Sequence, residues 1–310
     1  MAGERQKRGL RGRGTPEARP AWPGNARGTV TAPEATGVGS PSVVDLPADP
    51  QDLARLAAQV AADAGRMLLA TLGERREQVA TKTTTTDMVT EMDHRSEALI
   101  VAALTEARPD DGVVGEEGAR IEGTSGIQWV IDPLDGTTNY LYGYPGWGVS
   151  IAATADGRSV AGAVVDPMHD DAFVAALGAG ATLNGSPLTL GPPPPLEEAL
   201  VATGFAYDAE RRGHQAAALA HVLPRVRDMR RGGAAAVDLC WVACGRLDGF
   251  FERGLQPWDL AAGSLVASEA GAAVEVRPTG TPPRPLVVAA TPPLFGALCA
   301  LIEEAGVPDA

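Results

Sequence analysis

The chain has 310 residues and a formal net charge of -13, with 45% hydrophobic and 21% charged residues. That length can bury one large core or two ordinary ones, and the acidic balance argues against a general binder of nucleic acid or anionic membrane, since phosphate polyanions repel a surface of their own sign. Three cysteines without a CxxC pair, Cys240, Cys244 and Cys299, give neither a disulfide framework nor a zinc site, and with no apolar run near the roughly 18 residues of a membrane span and no secretory h-region, a soluble, cytoplasmic protein is expected.

Residues 1–47 are rich in Gly, Pro, Arg and Ala and lack apolar periodicity. Such a segment cannot bury enough surface to offset ordering entropy, so a disordered tail is expected there, with one domain over 48–310. Its basic run RQKRGLRGRG reads as a solvated stretch. Asp49 and Pro50 then supply an N-cap and a first-turn residue, and Leu53, Leu56, Ala57, Val60, Ala61, Ala64, Met67 and Leu68 follow at helical spacing, predicting an amphipathic helix that ends at Gly73. A second helix is predicted over Asp93 to Arg108, with Leu99, Ile100, Ala103 and Leu104 on one face and Pro109 as its stop.

Short β-like runs follow at Val113-Val114, Gln128 to Ile131, Val149 to Ala153, Ser159 to Val165 and Ala172 to Ala176, with turns at Asp156-Gly157 and Asn184-Gly185. They predict a sheet built largely from hairpins. Beyond the proline run 192–195, strands near Leu200, Met229 and Phe250 alternate with helices near Gln215 to Val222, Ala235 to Cys244 and Leu260 to Ala270. A layered α+β fold is the expectation.

Four separated segments place acidic residues beside Gly, Thr or Pro at element ends: KTTTTDMVTEMD (82–93), GEE (115–117), DPLDGTTN (132–139) and PWD (257–259). Taken alone, DPLDG after the apolar strand WVI is equally a turn, because Pro fixes φ and Gly permits positive φ. Asp93 alone reads as a helix N-cap and Lys82 as a solvated cation. As a set, the segments suit a hard divalent ion: Mg²⁺ takes oxygen ligands and keeps several waters, so a few strand-end carboxylates, the Leu134 carbonyl and substrate phosphate oxygens are a fitting shell. Gly136 and Thr137 leave backbone N–H groups for a phosphate at a following helix N-terminus.

WVIDPLDGTTNYLYGYPGWGVSIA and QPWDLAAGSLVASEAGA resemble the central and C-terminal signatures of the inositol monophosphatase family, and the upstream segments occur in the family's order. The resemblance spans residues 50–305 and implies a layered α-β-α-β-α sandwich of the inositol monophosphatase and fructose-1,6-bisphosphatase type, in a bacterial-type member. It implies two or three Mg²⁺ ions held by Glu116, Asp132, the Leu134 carbonyl, Asp135 and Asp259. Glu116 and Thr137 would orient the attacking water, with Asp93 behind the Thr137 hydroxyl and Lys82 on a loop near the site. Sensitivity to Li⁺ and a homodimer are also implied. No nucleophile competes with water: Ser150 and Ser264 have no adjacent His, Cys240 and Cys244 suit a buried helix face, and the four histidines form no ligand-spaced pair.

For the substrate, the resemblance implies a small phosphorylated polyol, myo-inositol 1-phosphate before histidinol phosphate or another sugar or nucleotide phosphate. Asp135, Gly136, Thr137, Thr138, Gly233, Ala234 and Ala235 would line its pocket. Ala234 stands where some animal members carry threonine. Glu252 alone reads as a sheet-edge charge beside Arg253; its place seven residues before Asp259 matches the family's polyol-binding glutamate. Bacterial members of the fold can also associate with transcription machinery, so a regulatory binder is the alternative from another class.

Overall fold

The computed structural model describes residues 46–72, 79–81, 88–278 and 284–307. The expected tail up to residue 45, Gly73 and Lys82 lie outside these residues. Leu46 and Ala48 pack partly against the first core.

α1 (Pro50–Thr71) begins where the sequence places it: Asp49 accepts a hydrogen bond from the Gln51 N–H at 2.8 Å, Pro50 fills the first turn, and Leu53, Ala57, Val60, Ala61, Ala64 and Leu68 form one buried stripe. It closes at Thr71. The short antiparallel pair β1 (Val79–Thr81) and β2 (Met88–Thr90) leads into α2 (Glu91–Ala107). This helix starts two residues ahead of the expected boundary, so Asp93 stands inside its first turn and is no N-cap.

The first sheet is formed by β3 (Gly112–Gly115), β4 (Arg120–Ile121), β5 (Ile127–Asp135), β6 (Gly148–Ala155), β7 (Arg158–Asp166), β8 (Asp171–Ala176), β9 (Gly180–Leu183) and β10 (Ser186–Pro187), with α3 (Thr137–Tyr142) between β5 and β6. Its order is β10-β9-β8-β7-β6-β5-β3-β4, antiparallel except for β3 beside β5. The hairpin turns fall at Asp156-Gly157 and Asn184-Gly185, all four residues at positive φ, the conformation that matches the right-handed strand twist.

The second sheet, β12-β11-β13-β15-β14, joins the parallel strands β11 (Leu200–Thr203), β12 (Asp228–Arg230) and β13 (Gly249–Arg253) to an antiparallel pair, β14 (Ala273–Arg277) and β15 (Leu286–Ala290). Its helices are α4 (Ala209–Val222), α5 (Ala235–Ala243), α6 (Pro257–Glu269) and α7 (Pro292–Glu304).

Three cores separate five layers. α1 and α2 bury Leu68, Ile100 and Leu104 with Trp129 and Ile131 on one face of the first sheet. Val237, Leu239 and Val266 of α5 and α6 fill the space between the sheets with Phe173 and Phe250. Val222 of α4 and Leu298 and Ile302 of α7 cover the far face of the second sheet. The expected α-β-α-β-α sandwich is therefore the fold, with the short strands β1, β2, β4, β9 and β10 and the C-terminal β14, β15 and α7 added to the elements read from the sequence.

Candidate active site

In an unbroken strand, side chains alternate faces, so positions 132 and 135 would point opposite ways. On β6, however, Asp132 pairs with Ser150 and Asp135 with Gly148, so three steps along β5 meet two along its neighbour. This bulge reverses the alternation. Leu134 joins Trp129 and Ile131 in the core under α1 and α2, while Asp132 and Asp135 both line a cavity of about 440 Å³.

Two more carboxylates reach that cavity from other elements. Glu116 follows β3, where its N–H donates to the Ile131 carbonyl at 3.1 Å and ties the turn to β5. Asp259 stands in the first turn of α6, not ahead of the helix as the sequence reading had it, and forms a capping box with Gln256, whose N–H it accepts at 2.7 Å. Asp135 also caps a helix: its Oδ2 accepts from the Ala236 N–H of α5 at 2.7 Å across 101 positions of sequence.

These carboxylates are electrostatically uncomfortable. Burial first, then the charges of Glu116, Asp135 and Asp259, hold the Asp132 carboxyl well above the usual range. Burial raises Asp135 to about 7 against the α5 N–H bonds that favour its charge. The groups acting most strongly on Asp132 are thus like charges, a deficit that a bound cation corrects. Among the described residues no three acidic, His or Cys side chains close into a finished metal cage. An open array of carboxylates, with Leu134 on the same lining, suits an ion that keeps water and takes further oxygens from its substrate.

α2 holds the two loops that carry these groups. Its buried polar residues Asp93, Ser96 and Glu97 share one face at helical spacing. The Thr137 hydroxyl donates to Asp93 Oδ1 at 2.8 Å, and the Ser96 hydroxyl donates to the Pro133 carbonyl at 2.7 Å. Glu97 accepts the N–H groups of Glu117 and Ala119 at 2.9 and 3.0 Å. Gly115 is required beside it, because a Cβ there would overlap the Glu97 carboxylate.

Glu252, on β13, is partly buried on the wall of the same cavity, near enough for its charge to act on Asp135 and for that of Asp259 to act on it. Burial raises its carboxyl to about 8, with the Arg231 charge acting the other way. Gly204 leaves room for it: a Cβ on that residue would collide with the Glu252 carboxylate. Behind the wall, burial followed by the Glu252 and Asp135 charges pushes Asp238 well up.

Of the expected residues, Glu116, Asp132, Leu134, Asp135, Gly136, Thr137, Gly233, Ala235, Glu252 and Asp259 line the one cavity. Asp93 stands behind Thr137. Thr138 and Ala234 are not on the lining: Thr138 lies on α3, and Ala234 is the buried N-cap residue of α5, packed toward Gly136, where an added Cβ would stand 3.2 Å from the Ala234 Cβ. Sequence reading missed Ser96, Glu97, Gly204, Asp238 and Arg211. The signal for the first two was the polar 93/96/97 spacing, in register with buried Ile100 and Leu104.

The layered sandwich and the cavity lined by strand-end carboxylates are the features of an inositol monophosphatase-type phosphatase. The family model for the inositol monophosphatase family matches residues 49–306, and the chain belongs to that family. An inositol-1-monophosphatase from Mycobacterium leprae is 44% identical over 237 residues, covering 73% of this chain and 81% of that protein. The Nus factor SuhB of Vibrio cholerae is 40% identical over 221 residues, 71% of this chain and 83% of the relative. The crystal structure of the extragenic suppressor protein suhB from Bartonella henselae superposes with a TM-score of 0.75 at 36% identity, over 81% of this chain and 98% of that one.

Proposed function

We propose that this phosphatase hydrolyses a small polyol phosphate monoester, myo-inositol 1-phosphate first and histidinol phosphate second, with Mg²⁺ as its cofactor. The observation that carries the reading is the convergence of Glu116 after β3, Asp132 and Asp135 of β5 and Asp259 of α6 on one cavity, which Glu252 also lines. Glu116, Asp132, the Leu134 carbonyl, Asp135 and Asp259 would hold two or three ions. When bound, Mg²⁺ supplies charge for the phosphoryl oxygens and leaving alkoxide and lowers the pKa of water toward neutrality.

The chain's own groups divide the remaining work. Thr137 spends its hydroxyl proton on Asp93, so its oxygen is left to accept from an attacking water. Glu116, on the facing loop, takes the second proton of that water or orients it. Glu252 accepts hydrogen bonds from the hydroxyls of the alcohol. A covalent route lacks support: Ser150, whose hydroxyl donates to the Trp258 carbonyl, and Ser264 and Cys240 are buried, and the cavity has no histidine on its wall.

Relatives carrying the name Nus factor favour one second reading, a regulatory protein-binding role, which does not require an intact carboxylate set. A cytoplasmic homodimer completes the proposal. The cysteines are free, and among the described residues no helix is long and apolar enough to cross a membrane. Phosphate release with Mg²⁺ from inositol 1-phosphate, histidinol phosphate and an aryl phosphate tests the reaction: turnover of none of them leaves the regulatory reading, and a preference for histidinol phosphate overturns the substrate order. Light scattering after gel filtration tests the dimer, which a monomer mass would refute.

A further inference from the structure

The break in register that brings Asp132 and Asp135 to one face leaves a polar group behind. Pairing of β5 with β3 ends at Ile131, and pairing with β6 skips from Asp132 to Asp135, so Pro133 and Leu134 stand opposite no strand residue. Inside the bulge the Leu134 N–H donates back to Asp132 Oδ1 at 3.0 Å, and Pro133, which has no N–H, contributes only a carbonyl. Pro133 is buried. A buried carbonyl without a donor carries the penalty of a lost hydrogen bond, so a bulge of this kind needs a donor from elsewhere.

Ser96 of α2 supplies it. Its side chain is fully buried, and its hydroxyl donates to the Pro133 carbonyl at 2.7 Å across 37 positions of sequence. A helical serine commonly returns its proton to a carbonyl one turn back in its own helix; here the single donor is spent on β5 instead. The helix behind it is anchored in the core by Ile100 and Leu104. Just past the bulge, the Thr137 hydroxyl is held by Asp93 of the same helix and lies 3.2 Å from the Leu134 carbonyl. The bulge is thus pinned at its middle and at its end, while Ser96 itself is not on the cavity lining.

We propose that Ser96 is a positioning residue that sets the preference of the carboxylate site for a small, rigidly coordinated ion over a larger one. It acts through the Pro133 carbonyl, by fixing the spacing of Asp132 and Asp135 on either side of it. The inference rests on the metal-binding part of the reading above. Mg²⁺ demands a near-ideal octahedron of close oxygens, whereas Ca²⁺ accepts more oxygens, at longer range and in looser geometry. Without the Ser96 hydroxyl the Pro133 peptide turns toward another donor and the two carboxylates lose their fixed spacing. The exacting ion loses most by that, and the tolerant one little.

The test measures Mg²⁺ and Ca²⁺ affinities of the full chain by displacement of Mn²⁺, an ion that also takes hard oxygen ligands and whose free form is read by electron paramagnetic resonance. Ser96→Ala should weaken Mg²⁺ about tenfold, the worth of one buried hydrogen bond, and Ca²⁺ by about twofold at most, so that the ratio of the two affinities falls about fivefold. Ser96→Thr, which keeps the hydroxyl, should hold the wild-type ratio. Ser96→Cys, close in size but a poor donor, should lower it and replaces Ser96→Ala should that variant fold poorly. Ile100→Val, in the core one turn further along α2, is the structural control: it should lower the unfolding midpoint and leave the ratio alone. A ratio within about twofold of wild type in the variants without the hydroxyl would overturn the proposal. So would an equal fall in Ser96→Ala and Ser96→Thr, which would assign the effect to packing, or a wild type that displaces no Mn²⁺. Ester hydrolysis is scored apart: a wild type that binds Mg²⁺ and hydrolyses no ester ends the phosphatase reading, while the ratio still decides the role of Ser96.

Discussion

Replacing Glu252 by glutamine should separate two consequences of one buried carboxylate. In the metal-free protein burial pushes the group up to about 8, against 4.5 for an ordinary glutamate, because it disfavours the charged form. A folded-state pKa above the unfolded value means that the stabilising contribution is fully present below about pH 4.5 and is lost as pH rises through about 8. At about 1.4 kcal/mol for each pH unit between the two values, the cost of ionisation is bounded near 5 kcal/mol; access to cavity water brings the expectation to about 2 kcal/mol. Glu252→Gln, which keeps the shape without the charge, should therefore match the wild type in urea denaturation with EDTA at pH 4.5 and exceed it by about 2 kcal/mol at pH 9. In turnover the same variant should lose about 10 to 150-fold in kcat/KM for inositol 1-phosphate, the worth of a charged hydrogen-bond acceptor, and far less for an aryl phosphate that offers no hydroxyls. A pH-independent stability difference would refute the electrostatic account. An equal fall for both substrates would show that Glu252 supports the metal end or the fold.

Asp132→Asn or Asp259→Asn should lower Mg²⁺-dependent turnover by about two to four orders of magnitude, since a hard cation loses an anionic ligand where few are spare; full activity in EDTA would contradict this. Asp132→Asn should also raise the melting temperature of the metal-free protein, because burial and three neighbouring carboxylates oppose the charge it removes, and calorimetry reads the sign directly. Glu97→Ala should free the N–H groups of Glu117 and Ala119 and cost about 2 to 4 kcal/mol, with faster hydrogen exchange at those two amides; unchanged exchange would show that the turn does not depend on Glu97. Millimolar Li⁺ should inhibit by taking a metal position without serving the chemistry, and a flat titration would count against that.

Elements governed by local rules were legible in the sequence. The Asp49 cap, the apolar stripe of α1 and the two positive-φ hairpin turns depend on neighbours within a few residues, and they stand where spacing placed them. The carboxylate segments were legible as well, since each sits at an element end marked by Gly, Pro or Thr. The β14–β15 pair escaped because AVEVR and LVVAA are short runs whose type is decided by the strands they meet.

What the sequence by itself determined is therefore an inventory: which residue types could meet a hard cation, a phosphate and a polyol, and in which order the chain presents them. Only tertiary structure decided their faces and partners. The bulge opposite Gly148 turns Asp132 and Asp135 to one side, α2 spends Asp93, Ser96 and Glu97 on holding the loops, and Gly204 and Gly254 keep space for Glu252 and Arg211. Each of these joins positions far apart in the chain, and no periodicity within one segment encodes a contact whose other half lies in another.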